Sequence, residues 1–126
     1  MARAAHWADG VYSFSMSGSA AETAGFFRMA EQAWQAAERQ APPQKVGGFW
    51  YCLADNAEEK MKDYVYDYLK ILGDKIARPV ANSMKNFDAH VIKDTLTEMA
   101  ATGCEEVFLC SATDELSELD RLLNIL

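Results

Sequence analysis

The period of the apolar residues changes several times along this chain, and each change marks an element. Residues 11–16, VYSFSM, read as a short strand. After a loop of small residues, Ala20, Ala24, Phe27, Ala30, Trp34 and Ala37 recur at spacings of three and four. That spacing predicts an amphipathic helix to about Arg39, stopped by the paired prolines Pro42 and Pro43. Residues 46–54, VGGFWYCLA, have no polar face, so a strand there must be covered on both sides. Ala57, Met61, Tyr64, Tyr68 and Leu72 form the stripe of a second helix that ends at Gly73. Segment 74–87 is a short helix or a turn broken around Pro79, and Asp88 then caps a helix carrying Ile92, Leu96 and Met99 up to Gly103. Residues 105–112 predict a third strand, and 113–126 a closing helix with Leu116, Leu119, Leu123 and Leu126 on one face. Ser19 with Glu22, and Asp55 with Glu58, match the capping box at two of the helix starts.

Strands alternating with helices and lacking hairpin turns predict an α/β fold with parallel strands and right-handed crossovers, as a single domain over residues 1–126. Three strands are few for such apolar runs. A closed parallel barrel takes eight strands and roughly 200–250 residues. Either the helices sandwich a small open sheet, or another chain supplies further strands. Free sheet edges flanked by Phe, Trp and Val invite pairing with another chain, so the expectation is a homo-oligomer or a partner chain that covers or completes the sheet.

Charge removes some function classes. A net charge of −7, with twelve Lys and Arg among nineteen acids, is wrong for binding a phosphate backbone, so no nucleic-acid partner is expected. No stretch approaches about 18 uninterrupted apolar residues, and the first residues lack the apolar centre of a signal peptide. These features predict a cytoplasmic protein with no membrane partner. Cys52, Cys104 and Cys110 are odd in number and show no C-x-x-C spacing, which predicts buried thiols rather than a metal or redox role. His6 and His90 lie far apart, with no ligand at helical spacing, so no metal is expected.

Three stretches, RAAHWADGVY at 3–12, VGGFWYCLADNAEEK at 46–60 and ATGCEEVFLCSATDELSELDRLLNIL at 101–126, taken in this order and spacing, resemble the C-terminal portion of the luciferase-like monooxygenases. The similarity spans nearly the whole chain. It implies the last part of a (β/α)8 barrel and a flavin-type cofactor, FMN or a deazaflavin. What resembles the family is about its last three strand-helix units. The earlier strands, most of the substrate pocket and the glycine-rich segment that helps hold the flavin phosphate have no counterpart here. The expected function is therefore that of a truncated or split flavin-dependent oxidoreductase, which contributes part of a flavin or substrate rim and is not catalytic by itself. The alternative is a non-enzymatic, self-associating α/β interaction module with no cofactor bound.

If the barrel geometry applies, the ligand-facing rim is made by the loops after the strands, 15–19, 54–56 and 111–114. Ser15, Ser17, Gly18 and Ser19 are the candidate cofactor-binding residues, because backbone amides and small hydroxyls before a helix can hold a phosphate or carboxylate. The competing reading is an N-cap turn and nothing more. Asp55 and Asp114 read as helix caps, and Asp9 and Gly10 as turn residues. Phe49, Trp50, Tyr51, Tyr64, Tyr66 and Tyr68 can stack on a flavin ring or simply fill a core. No nucleophile elbow, P-loop, dinucleotide fingerprint or His-Glu-x-x-His is present, and no residue is assigned a catalytic role.

Overall fold

The structure is a computed structural model that describes residues 1–126. It is an α/β domain in which three parallel strands, β1 (Gly10–Phe14), β2 (Gln44–Tyr51) and β3 (Glu106–Ser111), alternate with five α-helices. The helices are α1 (Ala20–Ala36), α2 (Ala57–Leu69), α3 (Asp74–Asn82), α4 (Ala89–Ala101) and α5 (Ser117–Ile125). The sheet order follows the chain, β1-β2-β3, so each crossover advances the sheet by one place in the same direction. Tyr12 pairs with Val46 and Phe14 with Gly48, while Gly48 pairs with Phe108 and Trp50 with Cys110. Residues level in a parallel ladder share a face. Tyr12, Phe14, Trp50 and Phe108 therefore stand on one side of the sheet, and Ser13, Phe49, Tyr51 and Leu109 on the other.

The two sides are covered unequally. On the Tyr51 side, Ile92 of α4 and Leu122 of α5 pack against the sheet, with Leu53, Leu96, Leu109 and Ile125 around them. Fully buried Phe27, Phe49, Met99 and Trp34 continue that layer under α1 and α4. On the Trp50 side, the α2–α3 pair covers only the carboxyl ends of the strands. There Met61, Val65, Leu69, Ala77, Ala81 and Met84 enclose Trp50 and Cys52. β2 is thus wrapped by its own chain from Gly47 to Tyr51. The apolar surface expected on the middle strand lies instead on its neighbours, where Tyr12 and Phe108 are 48% and 52% exposed. Both outer strand edges are unpaired.

Two glycines make the aromatic side possible. A Cβ on Gly48 would stand 2.4 Å from the Tyr12 hydroxyl and 3.0 Å from the Phe108 carbonyl oxygen. Without it, the rings of Tyr12 and Phe108 meet edge-on across the middle strand, centroids 5.9 Å apart. On the opposite side, a Cβ on Gly47 would press on the Cys104 sulfur at 3.0 Å.

Several expected details differ. Asp55 does not cap α2; Asn56 precedes the helix in the left-handed conformation, φ 56°, which asparagine tolerates where the chain must turn sharply. Asp114 does not cap α5 either. The helix starts a turn later at Ser117, and the Thr113 hydroxyl accepts the Glu115 amide at 3.3 Å. Pro79 sits inside α3 without breaking it. The leucine stripe of α5 points outward, with Leu116 95% exposed, while Glu118 and Leu122 face inward. In α2 the buried line is Met61, Val65 and Leu69, one position on from the expected Tyr64 and Tyr68. Gly10 opens β1 rather than belonging to a turn. The Asp88 cap of α4 and the Gly73 and Gly103 stops, both at positive φ, are as expected.

Candidate functional site

The carboxyl ends of the three strands open onto one rim, built from the loops 15–19, 52–56 and 111–116. In parallel α/β sheets this end collects the loops that meet ligands. The first loop is tied together from within. Ser15 is fully buried, and its hydroxyl accepts the Ser19 amide at 2.7 Å while donating to the Glu22 carboxylate at 3.0 Å. The Ser19 hydroxyl accepts the Glu22 amide at 3.3 Å. The predicted capping box is thus present with one added relay, because Ser15 stands between the Ser19 amide and the Glu22 carboxylate. Gly18, at φ 72°, lies against Asn86, whose Nδ2 is 2.1 Å from where a Cβ would stand. Of the four candidate residues, Ser17 makes no side-chain hydrogen bond within the protein and is half-buried.

Asn86 joins this loop to the rest of the rim. Its carbonyl oxygen accepts the Cys52 amide at 3.0 Å, and its side-chain oxygen accepts the buried Thr95 hydroxyl at 2.9 Å. It ties the end of β2 to the middle of α4 and lies against the β1–α1 loop at Gly18. The sequence carries no signal for this, since a lone Asn in an undecided segment reads as a turn residue.

Between α2 and the β3–α5 turn lies a cleft of about 670 Å³, lined by Lys60, Asp63, Tyr64, Ser111, Asp114 and Glu115 among others. Lys60 and Arg121 both hold the Glu115 carboxylate, Arg121 at 2.8 Å. Arg121 also reaches the buried Glu118 at 3.3 Å, and Glu118 in turn accepts the Leu53 amide at the end of β2. The hydrogen bond from Lys60, followed by that from Arg121, holds Glu115 below its ordinary value, and the same contact with Glu115 raises Lys60. Both stay charged near neutral pH, so neither is poised to pass a proton. With Asp63 and Asp114 also on the wall, the cleft is net acidic and disfavours phosphate. Glu118 and Arg121 are three apart on α5 and Glu115 stands just before it, a spacing overshadowed in the sequence by the leucines beside it.

The aromatic side of the sheet runs up to the same rim. Phe14 and Trp50 meet edge-on with centroids 4.7 Å apart, and Trp50 continues to Tyr68 at 5.4 Å and Tyr64 at 6.4 Å. Trp50, Tyr64 and Tyr68 therefore belong to one wall. Phe49 and Tyr51 face the opposite layer, and Tyr66 turns away to bond Asp74 at 2.6 Å. Trp50 itself is buried, so the accessible part of this wall is the stacked pair Tyr64 and Tyr68.

Burial raises all three thiols above the usual cysteine value, the unreactive side for a nucleophile. Cys52 is buried as expected, whereas Cys104 and Cys110 are only half-buried. His90 is exposed at the start of α4, its amide bound to Asp88. No group of three His, Cys, Asp or Glu side chains is arranged to hold a metal ion. No helix is long and apolar enough to cross a membrane. Comparison with protein-family models, with curated proteins and with solved structures gives no match.

Proposed function

We propose that this chain is the wall and part of the rim of a luciferase-like, flavin-type oxidoreductase, active only when further strands from another chain stand opposite it. The observation that carries this reading is the open part of the aromatic side of the sheet, Tyr12 and Phe108 with half-buried Phe14 beside them, which runs toward the rim where the strand loops gather. Strands in chain order, with α1, α4 and α5 on one face, support a section of barrel wall; the α2–α3 pair departs from it by covering the strand ends on the inner side. The cofactor is FMN or a deazaflavin. Its ring lies against the wall, and Ser17 contacts its polar side chain from a loop shaped by Ser15, Gly18 and Ser19. Three unpaired cysteines suit a reducing cytoplasm.

Titration of FMN and of a deazaflavin with the protein tests this by fluorescence. Quenching is expected, and Ser17→Glu should weaken it about tenfold, the effect of roughly 1.4 kcal/mol of repulsion. Absence of quenching, both alone and after mixing with a chain carrying the missing strands, would overturn it. The acidic cleft and the fully charged Lys60–Glu115 pair favour a second reading, an interaction module without chemistry. That reading predicts assembly with no flavin bound.

A further inference from the structure

We infer that α5 is a strap with two positions, which turns about its own axis by one residue to exchange its buried face for the leucine stripe that now faces solvent. The inference goes beyond the reading above and stands whether or not a flavin binds. Register gives the first argument. The residues that α5 turns to the sheet are buried Glu118 and Leu122 and half-buried Ile125. One residue further on, at the same spacings of four and three, stand Leu119, Leu123 and Leu126, which are 58%, 61% and 67% exposed. Successive residues of a helix lie about 100° apart, so a turn of that size puts three leucines where an acid, a leucine and an isoleucine now lie. Apolar burial by itself favours the leucine face.

The space beside the helix gives the second. A cleft of about 370 Å³ opens between the sheet and the first turn of α5, lined by Tyr51 and Leu109 from the strands and by Glu118 and Leu119 from the helix. The start of α5 therefore has room to turn, and Leu119 already borders the space it would enter. What holds the present position is polar. The Glu118 carboxylate accepts the Leu53 amide at the end of β2 and the Arg121 guanidinium at 3.3 Å. Just before the helix, Glu115 is held by Lys60 of α2 and by Arg121. A buried carboxylate is costly unless such partners are kept. Losing them tips the balance toward the leucine face, where position 118 stands in solvent.

Glu118→Lys tests the inference, because a lysine is rejected from the buried position and tolerated in the exposed one. The reporter is the thiol introduced by Leu123→Cys, alkylated with iodoacetamide and followed by peptide mass spectrometry, so that the native cysteines are read separately. With Leu123→Cys alone the thiol should react freely. With Glu118→Lys added it should react about tenfold more slowly, the protection that burial in a closed helix gives, with circular dichroism unchanged. A thiol equally reactive in both proteins would overturn the inference, since the helix then detaches instead of turning. So would a thiol that is already protected with Leu123→Cys alone. If Glu118→Lys unfolds, NMR relaxation dispersion on the leucine and isoleucine methyl groups of the wild type decides. Exchange confined to α5 and to Leu53 and Ile92 beside it supports two positions; flat profiles, or exchange shared equally by α1 and α2, would overturn them.

Discussion

At the scale of single residues, the rim is set by polar groups placed where apolar ones are expected. Thr23 is fully buried in α1, and its hydroxyl finds no partner. Thr23→Val removes the orphan and keeps the shape, so it should stabilise the fold by about 1 kcal/mol in urea denaturation. An unchanged or lower midpoint would show that the hydroxyl is satisfied. Gly18 is the opposite case: Gly18→Ala forces a side chain into left-handed backbone and onto Asn86, with an expected loss of about 2 kcal/mol. The same denaturation curves check it. The pattern of apolar residues reveals neither position, because Thr23 falls on the buried stripe of α1 and Gly18 reads as any loop glycine.

Among elements, the three strands, their parallel order and four of the five helices are legible in the sequence, because each apolar run is followed by a helix-start signal. What is not legible is which of two neighbouring stripes a helix buries. In α5 the leucines at 116, 119, 123 and 126 make the stronger pattern, yet Glu118 goes inward because it meets the Leu53 amide left free at the end of β2. Leu122→Ala should therefore cost about 3 kcal/mol, whereas Leu119→Ala should stay within about 0.5 kcal/mol. Equal losses in chemical denaturation would contradict the orientation of the helix. The Glu115 network fixes the acid response. Its carboxyl lies below the ordinary 4.5 when folded, so its contribution is complete above that value and is lost as pH falls through the lowered folded pKa. Glu115→Gln should lose stability at neutral pH and show a flatter decline on acidification than the wild type, as read from urea midpoints at several pH values.

For the whole molecule, each chain carries −7, and two copies repel unless their acids are screened. Raising salt from 0.01 to 0.15 M shortens the screening length from about 30 to about 8 Å. Any association of the chain with itself should therefore strengthen over that range, whereas binding to an oppositely charged partner would weaken; sedimentation at the two salt concentrations separates them. The expectation of outside cover comes from too few strands for so much apolar residue in β2, but β2 is wrapped by its own chain from Gly47 to Tyr51 and the exposed apolar residues of the sheet are Tyr12 and Phe108 on its neighbours. Hydrogen exchange compared between the wild type and Phe108→Lys tests that placement most directly. Exchange in β1 and β3 should be slower in the wild type, with α1 and α5 alike in both. Strands that exchange equally fast in the two proteins would contradict it.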